Sequence, residues 1–166
     1  SYSSLVGAWH HIAVTYDGRG GAGSVNGITM YIDGLPVALV RVNNAAYVAM
    51  ENGTDPVQIG REGPFWNQFH GGLDDIRLWN FARSASQIQG LFTSELVGNE
   101  AGLVAYWKFN EGVGLLANDA TVRAQTGTLI NGPLWVAGGP LGSTGPDTTP
   151  PVISNIVTSA ITDRKS

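Results

Sequence analysis

The chain has 166 residues, enough for one domain of ordinary size with a real core, and carries a net charge of −4 with only 13% charged residues. The nine Lys and Arg are scattered, which gives no basic surface for nucleic acid. No apolar run approaches the roughly 18 residues of a membrane span, and zero cysteine excludes both disulfides and thiolate metal sites.

In chain order, "WHHIAVTYDG" alternates, with Ile12, Val14 and Tyr16 on one face and His11, Ala13 and Thr15 on the other. The stretch "GRGGAGSVNG" that follows reads as a flexible loop. "ITMYIDGLPVALVRV" is a hairpin turning at Asp33-Gly34, and Pro36 places the returning strand at an edge or a bulge. "PVQIGRE" is a short strand, "GPFWNQFHGG" an aromatic loop, and residues 71–80 a further strand. "RSASQIQGLF" is the single short helix expected, capped by Ser84 with Gln87 completing a capping box. "GLVAYWKFN" and "GTLINGPLWVA" are two more strands, the second broken by Asn-Gly-Pro, and Trp107 and Trp135, like Trp9 upstream, are expected in the core.

Residues 138–150 are a Gly/Pro/Thr-rich linker, and 151–166 resemble the first strand of another module. The fold class is therefore all-β, an antiparallel two-sheet sandwich with one short helix.

Two adjacent carboxylates, Asp74 and Asp75, sit where strand pattern disfavours them. Strict alternation puts Asp74 with Ile76 and Leu78 on the core face, and Asp75 with Arg77 and Trp79 on the wet face, where Asp75 and Arg77 can pair at the surface for at most about 1 kcal/mol. A buried carboxylate must be protonated, paired with a cation, or held by N–H donors. Asp74 is therefore a candidate calcium ligand, or a buried aspartate that fixes a turn.

The blocks "WHHIAVTYDG", "MYIDG", "IGRE…FHGGLDDIRLWNFARSASQIQ" and "GLVAYWKFNEGVG" resemble the laminin-G-like jelly-roll domain of the concanavalin A-like lectin and glucanase superfamily over residues 5–137. The resemblance implies a domain over 1–137, expected to lack its N-terminal strands. It implies a setting in secreted or surface-attached modular proteins, with 151–166 opening a fibronectin type III-like module. It also implies a structural calcium at Asp74. The family's Gly-Asn-Gly-rich loop is replaced here by "ATVRAQ", which removes any metal ligand that loop would supply.

The glucanases of the superfamily need carboxylates alternating on one strand face, about 5 Å apart for retaining hydrolysis. No such triplet occurs in this chain, and the expected function is non-catalytic. Sugar recognition pairs an aromatic face with amides for the hydroxyls, and Trp66, Asn67 and Gln68 offer both. The expectation is an extracellular module that binds a glycan or a surface protein. The alternatives are an architectural spacer and an accessory module of a glycoside hydrolase.

Overall fold

Why short strands dominate is visible in the turns that separate them. The computed structural model describes residues 5–42, 46–49, 56–62 and 66–141. The chain is mostly β, with antiparallel sheets and two short helices, as in a concanavalin A-like sandwich. Among the described residues the strands form one three-stranded and three two-stranded sheets.

The first sheet is β1 (Ile12–Tyr16), β2 (Ile28–Ile32) and β3 (Leu35–Val37), in that order. Asp33 and Gly34 both have positive φ, 50° and 75°, as a two-residue hairpin turn of matching twist requires. The turn is pinned from β1. His11 N–H donates to Asp33 Oδ1 at 2.9 Å, and His10 Nδ1 lies 2.8 Å from Oδ2. Pro36 lies in β3, which is an edge strand, as its missing N–H demands. The Gly-rich stretch is not a plain loop: Gly21–Gly27 form a 3-10 helix that delivers the chain into β2.

β4 (Arg61–Glu62) pairs with β5 (Trp66–Gln68). β6 (Ile76–Trp79) pairs with β7 (Leu103–Trp107), with a bulge between Leu78 and Trp79. The helix α1 (Ala85–Leu91) starts as its sequence requires. Gln87 N–H donates to Ser84 Oγ at 3.3 Å, and Ser84 N–H donates back to Gln87 Oε1 at 2.9 Å. β8 (Leu116–Ala117) pairs with β9 (Gly127–Thr128), so the long strand read at 127–137 shrinks to two residues.

The core lies on both faces of the β6–β7 ladder. Leu96, Leu103 and Tyr106 pack with Trp79 and Leu91, and Ala105, Trp107 and Ala117 pack with Ile76, Phe109 and Leu129. Trp107 is the core tryptophan in a strand, whereas Trp9 and Trp135 are half-buried and lie outside strands. At 138–141 the first residues of the linker are docked, with Trp9 Nε1–H donating to Gly138 O at 3.1 Å. The fibronectin type III-like segment lies outside the described residues.

Candidate functional site

The binding residues read from sequence sit on the β4–β5 hairpin. The backbone of Trp66 and Asn67 belongs to β5, with Trp66 opposite Glu62 and Gln68 opposite Arg61. The side chains of Trp66 and Asn67 lie outside the described part of the structure. Gln68 is exposed, and so are the next two residues, Phe69 and His70. Phe69 keeps 56% of its surface in water. It is held there from two sides. Its N–H donates to Gly60 O at 2.8 Å, and its ring edge lies so close to Gly71 that a Cβ there would stand 2.9 Å away. The exposed Phe69 ring offers an apolar face for a sugar, and its exposed sequence neighbours Gln68 and His70 offer an amide and an imidazole for hydroxyls. Phe69 lies inside the aromatic loop read from sequence, but nothing in the pattern marks it above Trp66.

The paired aspartates depart from their expected phase. Asp75 has φ of 53°, which breaks the alternation just before β6 begins at Ile76. Asp75 is not on a wet face. Its side chain and that of Arg77 are only 10% and 9% exposed, and they form a closed ion pair. Asp75 Oδ2 accepts from Arg77 Nη2 at 2.9 Å and from the Tyr106 hydroxyl at 2.8 Å. Arg77 Nη1 donates onward to Leu91 O at 2.9 Å, and Tyr106 Oη accepts from Leu96 N–H at 3.2 Å. Burial pushes the Tyr106 phenol well above its ordinary range, so it stays a donor to Asp75 at any working pH.

Asp74 is half-buried beside the docked linker. Oδ1 accepts from Asp75 N–H at 3.0 Å, while Oδ2 is shut off from water without a hydrogen bond. Gly139 allows this approach, since a Cβ there would stand 2.3 Å from Oδ2. Burial raises the Asp74 carboxyl to about 6, against a partial opposing pull from the Asp75 and Leu141 amides.

An orphaned carboxylate oxygen suits one position of a calcium shell, which takes six to eight oxygens. The rest of such a shell is not assembled from side chains. Among the described residues no group of three or more His, Asp or Glu comes together, and Gly138 O already accepts from Trp9. Asp74 could thus supply one ligand, with backbone carbonyls and water as the others.

Sequence reasoning missed Asp119, which is 8% exposed and accepts four hydrogen bonds of 2.9 Å, from Tyr106 N, Thr121 N, Thr121 Oγ1 and Gln125 N. It shapes the "ATVRAQ" loop through these hydrogen bonds. A shallow cleft nearby is lined by Lys108, Asn110, Glu111, Asn118 and Ala120. Its charged groups are engaged internally, Lys108 with Glu95 at 2.6 Å and Glu111 with Asn118 N–H at 2.6 Å.

These features define a small antiparallel β module with a surface hairpin site and an internally neutralised acidic turn. The chain belongs to the concanavalin A-like lectin/glucanases superfamily, whose pattern matches residues 1–89. It is also similar to a solved structure from Bacteroides ovatus ATCC 8483 named a "putative carbohydrate binding protein". The two are 26% identical, with a TM-score of 0.47, over 76% of this chain and 38% of that one. This chain therefore spans well under half the length of that protein. No curated protein matches the sequence. No described helix is long and apolar enough to cross a membrane.

Proposed function

We propose that the chain is a non-catalytic carbohydrate-binding module of an extracellular, modular protein. The observation that carries this reading is Phe69, an exposed aromatic platform flanked by Gln68 and His70 on a hairpin of a lectin-type fold. Trp66, Asn67 and Gln68, the contacts expected from sequence, belong to the backbone of the same hairpin. A non-catalytic role is supported at Asp75, whose oxygens are taken up by Arg77 and Tyr106.

A glycan array with the folded chain is the direct test. Binding is expected, and Phe69→Ala should weaken it by about tenfold, the scale of one stacked aromatic contact. A blank array with a folded protein would favour the spacer reading instead. Binding confined to the polysaccharide substrate of a neighbouring hydrolase would favour an accessory module.

Calcium at Asp74 is part of the proposal and has its own test. With no cation present, the folded carboxyl at about 6 lies above its unfolded value of 3.8. The folded state then binds the extra proton between those values, so stability should rise as pH is lowered from 7 toward 4. Asp74→Asn should remove that slope and stabilise the protein at pH 7 by about 1 kcal/mol, a figure reduced for the solvent that screens this half-exposed group. With calcium bound, the sign reverses. Asp74→Asn would then lower the melting temperature in calcium, and a chelator would lower it for the wild type. A wild-type melting temperature indifferent to chelator would remove calcium from the reading.

A further inference from the structure

Most of the described cations are already engaged. Arg19 pairs with Asp17 and Lys108 with Glu95, Arg77 closes on Asp75, and Arg41 donates to Val25 O and Ile28 O. Arg83, between β6 and α1, differs. It is half-buried, yet none of its N–H groups meets an acceptor among the described residues. Glu100 is the carboxylate that acts on it, but forms no ion pair with it. Glu100 accepts instead from Val97 and Gly98 N–H at 2.8 and 3.0 Å. Burial pulls the Arg83 guanidinium below its usual range, with the Arg77 charge adding to the effect and Glu100 opposing it. The side chain stays cationic all the same, so a charge is partly desolvated here without a partner.

What holds Arg83 is aromatic. Its Cζ lies 3.9 Å from the centroid of the Trp79 ring and 5.8 Å from that of Phe81, both within cation–π range. The two rings meet edge to face, 6.3 Å apart at 61°. Phe81 in turn is seated on Gly102, where a Cβ would stand 2.1 Å from its Cε1. Asn80 N–H donates to Gly102 O at 3.0 Å and fixes the chain as it leaves β6. Phe81 nevertheless keeps 44% of its surface in water, and Asn80 beside it is exposed.

The class of ligand follows from these groups. A guanidinium held by stacking presents a planar fork, which a carboxylate fills with two parallel N–H···O bonds. Arg77, the other cation that acts on Arg83, is spent on Asp75, so a single carboxylate is matched better than a phosphate chain. Phe81 offers an apolar surface for the C–H side of a pyranose ring, and Asn80 an amide for its hydroxyls.

We infer that Arg83, Phe81 and Asn80 form a binding site for a carboxylated sugar, a hexuronate unit of an acidic glycan. The guanidinium takes the carboxylate and Phe81 takes the ring face. This does not rest on the Phe69 reading, since Phe69 follows β5 and these residues follow β6.

Titration of the isotope-labelled full 166-residue chain with a galacturonate trisaccharide, followed by NMR, tests it. The Arg83 Nε–H and Asn80 amide signals should move together, with a dissociation constant of about 1 mM that weakens as salt is added. Arg83→Gln should weaken binding about tenfold or more, and Arg83→Lys, which keeps the charge but loses the fork, about fivefold. Phe81→Ala should also weaken it about fivefold, whereas Phe69→Ala should leave the shifts at Asn80 unchanged. A neutral galactose trisaccharide should bind here about tenfold more weakly. Circular dichroism establishes that each variant is folded. Signals at Arg83 and Asn80 that stay still up to about 20 mM galacturonate would overturn the proposal. So would a folded Arg83→Gln variant that binds like the wild type, or a neutral trisaccharide that binds as tightly. A glutamate tripeptide binding as tightly as the uronate would also overturn it, because the site would then read a carboxylate without its sugar.

Discussion

Replacing Arg77 with methionine is expected to destabilise the fold by about 3–5 kcal/mol, enough to consume much of an ordinary domain's total stability. The guanidinium is 9% exposed and serves three elements at once. It neutralises Asp75 ahead of β6, donates to Leu91 O at the end of α1, and donates to Ser94 O beyond it. Methionine fills much of the same volume but leaves the Asp75 carboxylate enclosed without a cation. It also takes the guanidinium donor from Ser94 O and from Leu91 O, the latter keeping only the Ser94 N–H at 3.2 Å. The cost therefore comes from what remains buried, and the attraction that is lost is the smaller part.

Two companion variants separate these contributions. Tyr106→Phe removes one hydrogen bond to the same carboxylate and the acceptor of the buried Leu96 N–H, and should cost about 2–3 kcal/mol. Asp75→Asn combined with Arg77→Met removes both charges and should recover a good part of the loss. Urea unfolding monitored by tryptophan fluorescence gives all three values. An Arg77→Met protein within 1 kcal/mol of the wild type would mean that Asp75 finds other donors, and the network would not be the strut described.

How far these features were legible in the sequence depends on how local their causes are. Asp33-Gly34 was readable because positive φ at two successive residues is a property of the residues themselves. Ser84 and Gln87 were readable for the same reason, since a capping box closes within one turn. The β7 strand was readable from its unbroken apolar run, which the ladder needs because both its faces are covered.

The acidic pair was misjudged because strand alternation was extended over residues that are not yet strand. Asp75 in the left-handed region swings the two carboxylates out of register, and the bulge at Leu78 and Trp79 shifts the phase again. The pairing of Asp75 with Arg77, two residues on, is legible in the sequence, but its enclosure by Tyr106 of β7 and by the carbonyls of Leu91 and Ser94 is not, because those groups are distant in the chain. The 3-10 helix at Gly21–Gly27 was hidden by composition, because its glycines suggest freedom while the backbone is in fact wound. At the candidate binding surface, the aromatic and amide residues are legible as contacts, but the stretch reads as a loop where Trp66–Gln68 in fact form β5. The exposure of Phe69 is not legible, since it depends on how the ring settles against the bare backbone of Gly71.

Asp119→Ala is expected to destabilise the protein by about 3 kcal/mol and to loosen the loop from residue 119 to 126. The carboxylate satisfies three backbone N–H groups and one hydroxyl in a site 8% exposed. Alanine leaves those donors facing a void. The Asp-x-Thr spacing was the available sequence signal, because an aspartate readily accepts from the N–H and the hydroxyl two residues on. The same loop is tied to the core by Trp107, whose Nε1–H donates to Gln125 O at 3.0 Å. Loss of Asp119 should therefore alter the near-ultraviolet dichroism of Trp107 in the folded state, besides shifting the urea midpoint. Asp119→Asn should fall between, since its amide keeps one acceptor but turns two hydrogens toward Thr121 Oγ1 and Gln125 N–H.

The pH dependence has a definite sign. Burial alone would raise the Asp119 carboxyl, but the amides of Thr121, Gln125 and Tyr106 with the Thr121 hydroxyl outweigh it and hold it below its usual value. Its stabilisation is present above the unfolded carboxyl range near 3.9 and is lost as pH falls through the lower folded value. The difference in stability between wild type and Asp119→Asn should therefore be constant from pH 5 to 7 and shrink in strong acid. A difference that instead grows on acidification would mean that the neutral acid, and not the carboxylate, is the form the loop is built around.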